Sequence, residues 1–169
     1  MIVTITAASR EQEPIIQNLV QLYTHDFSEF WAGTTRGGLS PDGRFEAYLL
    51  DEYWSNPAWL AFLVWCDDEL AGFALINDKA HSNEPVDHNM AEFFILRKYR
   101  GQGVGRQVAE TIFSQSPGLW EVAVARKNIN ALAFWWRVIN SSRNATGVYE
   151  TDVSNGQWNG PIIRFKWSV

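Results

Sequence analysis

A mixed-sheet α/β sandwich is the fold this sequence predicts, and three observations lead there. Segments of helical and strand periodicity follow one another in the order β-α-α-β-β-β-α-β-α-β-β, and helices interleaved with strands cover the faces of a sheet. The 169 residues contain no repeat, heptad run, low-complexity tract or linker, so one domain over residues 1–169 is expected. Hydrophobic content of 46 % against 20 % charged residues is ordinary for a globular chain, and the length allows a sizeable core.

The first strand is expected around Ile2 to Thr6, and a helix from about Pro14 to His25, where Ile15, Ile16, Leu19, Leu22 and Tyr23 share a face. Trp31 to Arg44 holds Gly33, Gly37, Gly38, Pro41 and Gly43 and reads as a loop. A second helix, Phe45 to Trp54, ends before Asn56-Pro57. Leu60 to Cys66 and Leu70 to Ile76 form a hairpin through Asp67-Asp68-Glu69. The polar stretch Asn77 to Asn89 is a loop, Ala91 to Leu96 a strand, and the helix beyond the glycines buries Val104, Val108 and Ile112. Ser116-Pro117-Gly118 stops it, and Leu119 to Ala125 is a strand. Asn128 can cap a helix to Ile139 that buries Ile129, Leu132, Trp136 and Ile139. Strands near Thr146 to Asp152 and Ile162 to Trp167 flank the turn Ser154-Asn155-Gly156.

A net charge of −5 argues against nucleic acid as the main partner and is compatible with a cationic substrate. The longest apolar run, Trp59 to Cys66, is too short to span a bilayer, so no membrane partner is expected. The first residues carry no secretory signature, and Cys66 is the only cysteine, so a cytoplasmic location is the default expectation. Cys66 reads as a small buried residue rather than a nucleophile. His25, His81 and His88 lack metal-ligand spacing, and no metal is expected.

Against the acidic background, Arg97, Lys98, Arg100 and Arg106 crowd ten residues around Gly101, Gly103 and Gly105. Glycines there free a tight turn of side chains, and the N–H groups that open the next helix suit an anion. A Walker loop is excluded, because no lysine and hydroxyl follow the glycines. The dinucleotide fingerprint fails because, counted from Gly101, its last glycine position is Arg106. Arg-x-x-Gly-x-Gly, at Arg100, Gly103 and Gly105, resembles the acyl-CoA pyrophosphate loop of the GNAT acetyltransferase superfamily. "NINALAFWW" downstream is similar to that family's N-x-x-A-x-x-F-[YW], at Asn128, Ala131, Phe134 and Trp135.

The resemblance implies a mostly antiparallel sheet of six to seven strands flanked by about four helices, with a splayed V between the fourth and fifth strands. It implies acetyl-CoA as cosubstrate, gripped by Phe94, Ile95, Leu96, Arg100, Gly101, Gln102, Gly103, Val104, Gly105, Arg106, Asn128, Phe134 and Trp135. Asn128 also reads as a plain helix cap. The resemblance also implies that an N–H near Ile95 or Leu96, with Leu96 the named candidate, polarises the thioester oxygen, where negative charge builds as the amine attacks. Glu92 is the candidate base, with an exposed strand carboxylate as its other reading. Trp135 stands where the family usually has a tyrosine that protonates the departing thiolate; Tyr99 and Tyr149 are candidate substitutes. Asp26, Glu29, Trp31 and Asp42 are expected near a cationic acceptor. The function implied is N-acetyl transfer to an amine of a small molecule or protein, by a monomer or homodimer. The alternative is a silent domain that binds acetyl-CoA or CoA as a sensor or interaction module.

Overall fold

The computed structural model describes residues 1–169. β1 (Val3–Ala7) leads to α1 (Glu13–Ser28), α2 (Asp51–Ser55), β2 (Leu60–Cys66), β3 (Glu69–Asn77) and β4 (His88–Ile95). α3 (Val104–Gln115), β5 (Gly118–Ala123), α4 (Ile129–Ser141), β6 (Ala145–Ser154) and β7 (Asn159–Trp167) complete the chain. The strands form one sheet in the order β1-β2-β3-β4-β5-β7-β6, antiparallel throughout except for β4 and β5. No helix is long and apolar enough to cross a membrane.

Alternation along β2 and β3 sends side chains to two cores. Leu63, Phe73 and Leu75 pack with Ile16, Leu19 and Val20 of α1 on one face. Val64, Ala74 and Ile76 pack with Val104, Val108 and Ile112 of α3 and Trp135, Val138 and Ile139 of α4 on the other. On α1, Leu22 is exposed, and Val20 takes the buried place expected of it. Ile129, expected in the core of α4, is 71 % exposed: it is the first residue of that helix, whose buried residues are Trp135, Val138 and Ile139. The β2–β3 turn is only Asp67-Asp68, both at positive φ (47° and 68°), so Glu69 belongs to the strand.

The expected helix over Phe45 to Trp54 is a correction: only Asp51–Ser55 is helical. Two α1 glutamines offer the preceding backbone a better arrangement. Gln17 donates to Tyr48 O (2.7 Å) and accepts from Tyr48 N (3.1 Å). Gln21 does the same for Phe45, at 3.1 and 2.8 Å. These amide clips satisfy main-chain groups that a helix would otherwise satisfy internally. Gln17→Leu is expected to cost about 1–3 kcal/mol in urea denaturation and to expose residues 44–50 to proteolysis.

The loop after β3 is held by a buried pair. Glu121, fully buried, accepts from Arg164 Nη1 (2.7 Å), Ser82 Oγ (2.6 Å) and His81 N, and Arg164 also donates to Pro85 O. Removing one partner strands the other charge, so Glu121→Ala should lower unfolding free energy by about 3–5 kcal/mol, read by chemical denaturation.

Candidate active site

β4 and β5 pair only at His88↔Trp120 and Asn89↔Glu121, and beyond those residues they diverge. The register between β3 and β4 slips at Ala91, next to Glu92, and such a bulge bends the strand and re-aims the side chains that follow. The result is a V with β4 residues Phe93 to Ile95 on its wall.

Leu96 N donates to Ala71 O at 2.7 Å. Of the two N–H groups expected to serve the thioester oxygen, the Leu96 donor is therefore already engaged, which corrects that candidate. In an antiparallel ladder alternate residues turn their N–H and C=O outward. With Leu96 and Phe94 bonded to β3, Ile95 and Phe93 face the opening, and Ile95 N–H is the free donor nearest the turn.

At the glycine turn, Gly101 and Gly103 have φ of 74° and 83°, a region that side-chain-bearing residues seldom adopt. A Cβ at either would meet no protein atom within 4 Å, so the turn opens onto empty space. The first turn of α3 has no acceptors for its N–H groups, and the first bond is Gln107 N to Gly103 O. Gly105 has a different reason to be glycine: a Cβ there would press on the Phe134 ring at 3.2 Å. Gln102 donates to Lys98 O and Val104 is buried in the core, so neither side chain lines the cavity.

A cavity of about 610 Å³ runs from this turn into the V. Its lining includes Phe94, Ile95, Arg100, Gly101, Gly103, Gly105, Arg106, Asn128, Phe134 and Trp135, together with Asp26 and Glu29. Asn128 caps α4, its Oδ1 accepting from Ala131 N at 3.1 Å, and also lines the cavity. Both of its readings fit together. Arg100 is held at the base: Nε donates to Ile95 O at 2.7 Å and the guanidinium pairs with Asp26. Arg97 pairs with Asp26 as well, at 2.8 Å. Although Asp26 is partly buried, these two cations hold its carboxyl below the usual range.

A second cavity of about 1040 Å³ lies across the V, and Tyr23, Phe93, Asn128, Ala131 and Trp135 border both. Glu92 opens into this one. Burial pushes its carboxyl up to about 7, against the Tyr23 and Tyr48 hydroxyls, which favour the charged form. Both phenols are raised above their ordinary range by burial and then by the Glu92 charge, so they remain protonated donors. Sequence reasoning placed Tyr23 on the helix face and missed Tyr48. Tyr23 comes from α1 itself, and Tyr48 is brought to Glu92 because Gln17 and Gln21 dock the segment 45–48 against that helix.

The expected acceptor residues separate. Trp31 lines the second cavity, against Phe27 (5.3 Å between ring centroids). Asp26 and Glu29 line the first cavity instead, and Asp42 touches neither, accepting from Ser40 within its own loop. Tyr99 and Tyr149, the candidate thiolate partners, hydrogen-bond Glu69 and Glu84 and line neither cavity.

The fold has relatives of known structure. An acetyltransferase of the GNAT family from Staphylococcus aureus Mu50 superposes with a TM-score of 0.61 at 10 % identity, covering 98 % of this chain and 99 % of that one. The PaiA N-acetyltransferase of Thermoplasma acidophilum, solved in complex with coenzyme A, gives 0.59 at 17 % identity, covering 99 % and 100 %. A spermidine N-acetyltransferase chimera of the Vibrio cholerae enzyme gives 0.58 at 15 %, covering 98 % and 95 %. At these identities the likeness is one of fold. No curated protein matches in sequence. The sequence model of the Acetyltransferase (GNAT) family, however, matches residues 16–150. On that match, over most of its length, the chain belongs to the Acetyltransferase (GNAT) family.

Proposed function

We propose that this protein is an acetyl-CoA-dependent N-acetyltransferase that transfers the acetyl group directly to an amine. The observation that carries the reading is Glu92, a carboxyl poised near neutrality in the cavity that meets the coenzyme cleft at Tyr23, Phe93 and Trp135. A residue with a pKa near the working pH is the effective general base.

The residues fit the coenzyme. N–H groups from Gly101 to Arg106 converge at the positive end of α3, as a pyrophosphate requires. The outward edge of Phe93 and Ile95 offers main-chain partners for an extended amide arm. When bound, the coenzyme supplies an activated acyl group on sulfur. Ile95 N–H faces the opening where the thioester oxygen would gain charge. Glu92 takes the proton that the ammonium must lose. Trp135, buried among Phe93, Phe113 and Phe134, excludes water and supplies no acidic proton. A thiol pKa of about 8.5 lets the sulfur leave as thiolate without a dedicated acid.

The test is calorimetry with acetyl-CoA, followed by free-thiol release over an amine panel. Coenzyme binding together with amine-dependent thiol release is the expected result. Binding with no turnover on any amine would favour the silent-domain reading, which the absence of an acid at Trp135 alone supports.

A further inference from the structure

The acceptor cavity has a charge pattern opposite to that of the whole chain. The protein carries −5 overall, yet Glu92 is the one carboxylate lining this cavity, against four cationic side chains: Arg36, Lys79, Arg126 and Lys127. Two of these are already engaged. Arg126 is paired with Asp152 at 2.7 Å, and Lys79 lies 3.8 Å from Glu52 and over the Trp59 ring. Arg36 and Lys127 are exposed at the rim and in no ion pair. Arg36 stacks on Trp31, with its guanidinium carbon 5.3 Å from the ring centroid, and both side chains line the cavity. The same lining carries six aromatic side chains, Tyr23, Phe27, Phe30, Trp31, Tyr48 and Trp158.

A cavity with one deep carboxylate and a cationic rim repels a ligand that is positive at both ends. It complements a ligand whose ammonium reaches Glu92 while an anion remains at the rim. Building on the acetyltransferase reading above, we infer that the acceptor is a small zwitterionic amine: a primary amine joined through an apolar or aromatic body to a carboxylate or similar anion. Polyamines are thereby disfavoured. The expected contacts to a cationic amine included Asp26 and Glu29, which do not line this cavity. Those acids face the coenzyme cavity, and Asp26 is neutralised by Arg97 and Arg100.

The experiment compares acceptors that share a skeleton and differ only in the anion: phenylalanine against phenethylamine, 6-aminohexanoate against hexylamine, and spermidine as the polycation. Each is assayed for acetylation and, by calorimetry, for binding to the protein loaded with CoA. The acid-bearing member of at least one pair is expected to be preferred by about tenfold at low salt, with the margin shrinking at 0.5 M NaCl. In Arg36→Ala and Lys127→Ala the preference should fall by roughly threefold each, while coenzyme affinity stays unchanged. Preference for the members that lack the acid, or for spermidine, overturns the inference, and so does failure of every acid-bearing amine to bind the CoA-loaded protein. If CoA itself does not bind, the acetyltransferase reading falls and takes this one with it.

Discussion

Replacing Glu92 by Gln is expected to lower kcat/KM by roughly 10²–10⁴-fold while leaving coenzyme affinity near that of the parent. The wild-type protein should lose kcat/KM below neutrality along a limb with an apparent pKa near 7, because only the ionised carboxylate accepts the proton. In Glu92→Gln that limb should vanish and leave the titration of the amine itself. The same shift has a stability signature. An unfolded glutamate titrates near 4.5, whereas in the fold burial raises Glu92 to about 7. Between those values the folded state binds more protons than the unfolded one, so this group's stability contribution is full below 4.5 and is lost as pH rises through 7. Glu92→Gln should therefore melt above the wild type at pH 8, and the difference should close by pH 4.5. An equal Tm difference at both pH values would remove the case for a desolvated carboxylate.

The second large effect is at Gly103. Its φ of 83° is unfavourable for any side-chain-bearing residue and worst for a β-branched one. The cost is about 1–2 kcal/mol, which the fold can absorb. A valine Cβ at this position would touch no protein atom, so its side chain would project into the space where an anion must approach the N–H groups. Gly103→Val is expected to weaken CoA binding by well over tenfold by calorimetry, with the far-ultraviolet dichroism unchanged. Unaltered CoA affinity in a folded Gly103→Val protein would dissociate the turn from coenzyme binding.

The parts of this site that were legible in the sequence are those that local backbone chemistry dictates. Gly101 and Gly103 stand out because their conformations exclude other residues, and Val104, Val108 and Ile112 because a helix must bury one stripe. The V between β4 and β5 was implied by the resemblance at Arg100 to Gly105 and is present in the fold. Asp26 was misplaced because its sign suited an amine. The ion pairs that claim it come from Arg97 and Arg100, more than seventy positions away in sequence. Tyr48 was illegible for a similar reason: nothing in Phe45 to Trp54 shows that two glutamine amides on α1 outcompete the helix. The cations Arg36, Lys79 and Lys127 come from three separate loops, and only the folded chain gathers them around one cavity.

The central claim is that the main chain opening α3 grips the coenzyme diphosphate and lays its arm along β4. Amide chemical-shift mapping of a 15N-labelled sample titrated with CoA tests this most directly. The largest perturbations are expected at Gly101 to Arg106, with a second set at Phe93 and Ile95. Saturable binding that leaves those amides unmoved, with shifts clustered elsewhere, would contradict the account.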